Sequence, residues 1–271
     1  MTRGTWESDA YEHLRAVRVE GDVALLTLDL PGRRNAMSDA MTASWVRAVS
    51  GIAGDPSVRC VVVTGEGTAF SSGGDLSWIG AEGGAGVDAL RQRMRDFYEA
   101  WLCVESLEVP TIAAVNGAAV GAGLALALAC DLRFVAETAR LAVPFTRLGL
   151  APGMLTTWSL PAVVGPAVAR DLLLTGRTVE GPEALALGLA SRVLPAGEVL
   201  PQALRAARDV AASAPVATRL TKLALAGGGH GDRAQALRWE SLAQAVTLAT
   251  DDLQEGLAAA REHRPPRFGR P

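Results

Sequence analysis

The sequence predicts an α/β fold followed by a helical C-terminal segment, and three observations carry that prediction. Short β-branched apolar runs, such as Cys60 to Thr64 and Thr111 to Val115, each lead into a Gly-rich turn. After Val193-Leu194-Pro195-Ala196-Gly197 the composition changes to Ala, Leu and Arg at helical spacing. The chain has 271 residues, of which 49% are hydrophobic, enough to bury a large core. The strand, turn, helix, strand rhythm implies right-handed crossovers, with residues 1–196 forming the α/β part and 197–271 the helical part.

In chain order, Ala16 to Val19 and Val23 to Leu28 read as a hairpin joined near Glu20-Gly21-Asp22. Ser38 is placed to cap a helix running to about Gly51, with Met41, Trp45 and Val49 on one face. Cys60 to Thr64 is a buried strand, and Asp75 could cap a short helix after it. A longer helix spans Val87 to about Ser106, its charges Arg91, Arg93, Arg95 and Asp96 forming a solvated face. Thr111 to Val115 is the next strand, Gly121 to Cys130 a helix and Leu132 to Val135 a further strand. The helical segment covers Leu204 to Ala226 with a break at Pro215, then Gln235 to Ala249 and Asp252 to Arg261. Gly227-Gly228-Gly229-His230-Gly231 is a flexible joint, because no strand precedes it as a phosphate cradle would require. No clear internal sequence repeat is visible.

Composition narrows the function. A formal charge of −3 gives no basic field for nucleic acid. No run of about 18 apolar residues is free of a charge or glycine, so no membrane span is expected. Met1 to Glu12 carries Arg3, Glu7, Asp9 and Glu12 without an apolar stretch, so no signal peptide is expected and the cytoplasm is the expected location. Cys60, Cys103 and Cys130 lie in apolar surroundings at spacings unlike a metal site, as buried thiols do.

The most informative features are the turns Ala69-Phe70-Ser71-Ser72-Gly73-Gly74-Asp75-Leu76 and Asn116-Gly117-Ala118-Ala119-Val120-Gly121-Ala122-Gly123. Glycines let a ligand approach the backbone, and a helix starting after Gly121 would aim free N–H groups at it. Either turn alone is better read as a tight packing turn. Side by side, the two would supply a pair of backbone donors to one oxygen.

These segments resemble signatures of the crotonase family, the enoyl-CoA hydratase/isomerase superfamily. The first runs from Gly65 to Leu76, and the second from Pro110-Thr111-Ile112-Ala113-Ala114-Val115-Asn116-Gly117 through Gly121-Ala122-Gly123 to Asp131-Leu132-Arg133. Pro31-Gly32-Arg33-Arg34-Asn35-Ala36-Met37, Arg147-Leu148-Gly149-Leu150-Ala151-Pro152-Gly153 and Pro265-Pro266-Arg267-Phe268 add to the resemblance, which extends from about Val17 onward. It implies a spiral of ββα units and a homotrimer or homohexamer built by the C-terminal helices. No permanently bound cofactor is implied, coenzyme A being part of an acyl-CoA substrate.

By the same resemblance the Gly74 and Ala122 N–H groups form an oxyanion hole for the thioester oxygen. Backbone donors preset at about 2.7 to 3.1 Å stabilise the charge of an enolate, and losing one costs about 3 kcal/mol. The resemblance places CoA along Ser71, Ser72, Asp75 and Leu76, with Arg33, Asn35 and Ala36 near its phosphate or pantetheine part. Arg33 and Arg34 could supply positive charge there, or simply form a solvated turn.

Hydratases of the family carry two glutamates, yet the matching positions here are Ala125 and Phe145, and an acid position used by some isomerases is Gly153. Positioned acid/base groups contribute about 10² to 10⁴ in rate, so hydration should be slow without a substitute. Thr146, Thr156, Asp75, Ser72, Asp96 and Glu99 are the candidate substitutes, while His13, His230 and His263 lie outside the motifs. Trp78, Trp158 and Met154 read as acyl-pocket lining or core. Two functions stay open: an enzyme that stabilises a thioester enolate, and a non-catalytic acyl-CoA carrier or sensor on the same fold.

Overall fold

The computed structural model of the chain describes residues 6–7, 10–20, 22–75, 86–226 and 231–269. Strands β1 (Leu14–Val19) and β2 (Val23–Leu28) form the expected antiparallel hairpin, pairing Leu14 with Leu28 and Val19 with Val23. Ser38 caps helix α1 (Asp39–Ala53), its hydroxyl accepting from the Met41 N–H at 3.2 Å. Met41, Trp45, Ala48, Val49 and Ile52 lie buried on one face of α1, as their spacing dictates.

From there the chain repeats a two-strand unit. Strands β3 (Cys60–Gly65) and β4 (Ala69–Ser71) precede helix α2 (Val87–Leu102). Strands β5 (Thr111–Val115) and β6 (Ala118–Val120) precede α3 (Ala122–Ala129), and β7 (Leu132–Ala136) and β8 (Arg140–Ala142) precede α4 (Thr156–Thr175), which is interrupted at Gly165. Then come β9 (Thr178–Glu180), α5 (Gly181–Ala186) and β10 (Arg192–Leu194). The first strand of each unit enters a six-stranded sheet of order β1-β2-β3-β5-β7-β10, and the second enters a four-stranded sheet of order β4-β6-β8-β9. From β2 to β10 the larger sheet is parallel, with Val61 beside Thr111 and Ile112 beside Leu132. This is the ββα spiral expected from the sequence. Every residue of β3 and β5 is buried, which explains their unbroken apolar character.

Four helices follow: α6 (Val199–Ala211), α7 (Pro215–Leu225), α8 (Arg233–Leu248) and α9 (Asp251–Arg261). Helix α6 buries Val199, Ala203 and Ala207 against the large sheet. The expected break near Pro215 is present, Pro215 itself opening α7 where its missing N–H costs nothing. Lys222 of α7, its side chain only 9% exposed, ties the helix to the core: Nζ lies 2.9 Å from Asp131 Oδ2 and 2.9 Å from Val109 O. Among the described residues no helix is long and apolar enough to cross a membrane, and no cluster of His, Cys, Asp and Glu could hold a metal ion.

Cys60 and Cys130 are buried and Cys103 half-buried. Burial raises the Cys60 and Cys130 thiols to about 12 and the Cys103 thiol to about 11, so all three are protonated at neutral pH. The joint at Gly227 to His230, the short helix expected after Asp75, and Trp78 lie outside the described residues.

Candidate active site

The two Gly-rich turns meet at the ends of β4 and β6, which are paired side by side. Gly73 has φ +89, and a β-carbon there would lie 2.5 Å from Val120 O and 3.1 Å from Ala122 N, so only glycine permits this approach. Gly123 is equally constrained, since a β-carbon would run into Ser71 O. Ser71 holds the first turn from inside: its hydroxyl donates to Asn35 O at 2.8 Å and accepts from the Gly73 N–H at 3.1 Å. Gly73 O accepts from the Met37 N–H at 2.9 Å, which fixes the peptide leading into Gly74.

Ala122 is the first residue of α3, where backbone N–H groups have no partner within the helix. Among the described residues, neither the Gly74 nor the Ala122 N–H donates to a backbone carbonyl in the turns joining these elements. Both residues line one cavity of about 280 Å³, with the positive end of the α3 dipole at its wall. Met94, Phe97 and Tyr98 of α2 cover one side of it, and Phe145, Leu148 and Met154 another. Helix α2 is held in place by Trp101, whose ring stacks on Trp45 at 5.2 Å between centroids and whose Nε1 donates to Thr42 Oγ1 at 3.0 Å.

Next to the first turn, Arg33 Nη2 lies 2.7 Å from Asp75 Oδ1, so the carboxylate is engaged by this cation. Ser72 Oγ donates to Arg33 O at 3.3 Å. Asn35 is fully buried with φ +55; its amide accepts from the Leu30 N–H at 2.9 Å and donates to Glu66 O and Ala69 O at 2.9 and 2.8 Å. Its side chain thus binds the two loops together and faces the protein. Ala36 is also buried, and Leu76 lies outside the described residues.

The three positions at which the family resemblance expects acids differ in their surroundings. Ala125 is buried within α3, away from the cavity lining. Phe145 presents its ring to the cavity, its edge 3.8 Å from where a β-carbon on Gly121 would stand. Gly153 is buried behind Tyr98.

Most of the candidate substitutes are committed elsewhere. Thr156 Oγ1 donates to Gly153 O at 2.8 Å, Asp96 accepts from Gln92 Nε2 at 2.8 Å, and Glu99 pairs with Arg95 at 2.7 Å. Thr146 Oγ1 faces the Leu173 and Leu174 carbonyls at 3.4 Å. Met154 lines the cavity as expected, but Trp158 is 67% exposed. Helix α4 buries Thr156 and Leu160, and a residue two positions from each points about 200° round the helix from that face. Tyr98 is a wall residue the sequence reading missed, although Met94, Phe97 and Trp101 at helical spacing on a charged helix were the signal for an inward aromatic stripe.

Comparison with known proteins matches the family model described as enoyl-CoA hydratase/isomerase over residues 18–271. A Thermus thermophilus protein provisionally named an enoyl-CoA hydratase is 43% identical over 256 residues, covering 93% of this chain and 100% of that one. The mitochondrial methylglutaconyl-CoA hydratase of Mus musculus is 35% identical over 91% of this chain and 79% of its own length. The crystal structure of an enoyl-CoA hydratase from Bacillus anthracis superposes with a TM-score of 0.89 at 32% identity, covering 95% of this chain and 99% of that one.

Proposed function

Because the chain belongs to the enoyl-CoA hydratase/isomerase family, we propose that it binds acyl-CoA thioesters and stabilises the thioester enolate between the Gly74 and Ala122 N–H groups. The observation that carries this reading is the contact of the two turns at Gly73, which brings both amides to one apolar cavity. A carbonyl oxygen placed there meets two donors that need no reorganisation as charge develops on it. Arg33, beside Asp75 and Ser72, supplies the cation for the nucleotide end of CoA.

One observation favours the non-catalytic reading: the cavity lining contains no carboxylate or imidazole among the described residues. The two readings are separated by incubating the protein with enoyl-, 3-hydroxyacyl- and malonyl-type CoA esters, following mass change beside a calorimetric titration. Conversion of any ester supports the enzyme, and tight binding without conversion supports the carrier. Absence of binding to all of them refutes both. Exposed Leu223, Leu225, Leu237, Leu242 and Leu248 on α7 and α8 support the reading of the C-terminal helices as a trimer- or hexamer-forming surface, which sedimentation velocity tests.

A further inference from the structure

Met94 and Tyr98, one turn apart on α2, line two spaces at once. One is the cavity at Gly74 and Ala122, and the other is a largely apolar groove of about 590 Å³ whose walls include Leu102, Cys103 and Leu155. The partition between the two is therefore one side chain thick. Tyr98 carries it across to the segment before α4: a β-carbon built on Gly153 would fall well inside 3.0 Å of Tyr98 Oη, so the ring reaches that segment only because position 153 has no side chain. The next two residues divide between the spaces, Met154 lining the cavity and Leu155 the groove. They hold φ values of +54 and +55, a left-handed conformation that non-glycine residues rarely adopt. Thr156 fixes the segment, its N–H and hydroxyl both donating to Gly153 O, at 3.1 and 2.8 Å. Backbone strain held in place at a thin wall marks that wall as a built boundary.

We propose that Met94 and Tyr98 set the acyl length this protein accepts, confining it to short-chain acyl thioesters and shutting longer chains out of the groove behind them. The inference rests on the thioester-binding reading, which holds the carbonyl at the Gly74 and Ala122 amides and so puts the acyl chain in the cavity. Ala122, Phe145 and Met154 are backed by packed core, whereas open space lies behind Met94 and Tyr98. Trimming either side chain therefore joins the cavity to the groove, and a chain that the wall stops gains an apolar path onward. Each further methylene buried along that path should add about fourfold to affinity.

The test is calorimetric titration of the full chain with butyryl-CoA and dodecanoyl-CoA, for the natural protein, Met94→Ala, Tyr98→Ala and Tyr98→Phe. The natural protein should bind the butyryl ester about tenfold or more tightly than the dodecanoyl ester. Met94→Ala and Tyr98→Ala should erase or invert that preference while changing butyryl-CoA affinity less than about threefold. Tyr98→Phe keeps the ring and should keep the natural preference. Dodecanoyl-CoA binding the natural protein as tightly as butyryl-CoA overturns the proposal whether or not the alanine variants fold. Folded alanine variants that keep the natural preference, or a Tyr98→Phe protein that loses it, overturn the wall and leave the thioester reading standing. No binding of either ester overturns the thioester reading and this inference with it.

Discussion

Replacing Gly73 by Ala tests the oxyanion reading at its narrowest point. The new β-carbon would lie 2.5 Å from Val120 O and 3.1 Å from Ala122 N, whereas real β-carbons essentially never come within 3.0 Å of such atoms. The turns must therefore separate by about half an ångström or more, and the residue must also hold a φ of +89 that alanine rarely adopts. Loss of one donor is worth about 3 kcal/mol, and a displacement of about 1 Å can cost about 10²-fold, so a shift of about half that size should lower kcat/KM about 10- to 100-fold. If the protein only binds thioesters, the affinity measured by calorimetry should fall in its place. Backbone strain of about 1–2 kcal/mol should also lower the melting temperature by a few degrees. Gly32→Ala is the control, since a β-carbon there meets nothing within 4 Å. A folded Gly73→Ala protein whose kcat/KM and affinity stay within about threefold of the natural values would refute the reasoning.

Two predictions concern stability. Burial alone would raise the Asp55 carboxyl, but hydrogen bonds from Ser57 and Trp6 and the Arg18 guanidinium pull it from 3.8 down to about 2. Its contribution, about 2 kcal/mol, is thus fully present above pH about 4 and is lost as pH falls toward 2. Asp55→Asn should cost about that much at pH 7 and flatten the acid limb of a denaturant series, and an unchanged limb would contradict the assignment. Asp131→Ala removes the acceptor shared by the Thr111 N–H at 2.7 Å, Thr111 Oγ1 at 2.9 Å and Lys222 Nζ at 2.9 Å. It should destabilise the protein by about 3 kcal/mol in chemical unfolding, with part of the loss recovered when Lys222→Met removes the stranded cation.

The sequence by itself determined the elements whose signals are local, while the short strands β4, β6, β8, β9 and β10 and the helices α4 and α5 went unread. Ser38 with Met41, Trp45 and Val49, the apolar runs at Cys60 and Thr111, and Pro215 at a helix start are signals carried within a few residues of chain, where capping and periodicity act. It also marked both Gly-rich turns, because a glycine required by close approach is visible as a glycine. Tertiary structure alone decided what meets what. Tyr98 faces Gly153 across 55 positions of sequence, Asn35 ties the Leu30 and Ala69 loops together instead of presenting its amide outward, and Asp75 is paired with Arg33. Trp158 points to solvent although its composition suited a core. Such pairings depend on how α2 packs on α1 through Trp45 and Trp101 and on how β4 registers with β6. They are long-range outcomes of packing, which local sequence does not encode residue by residue.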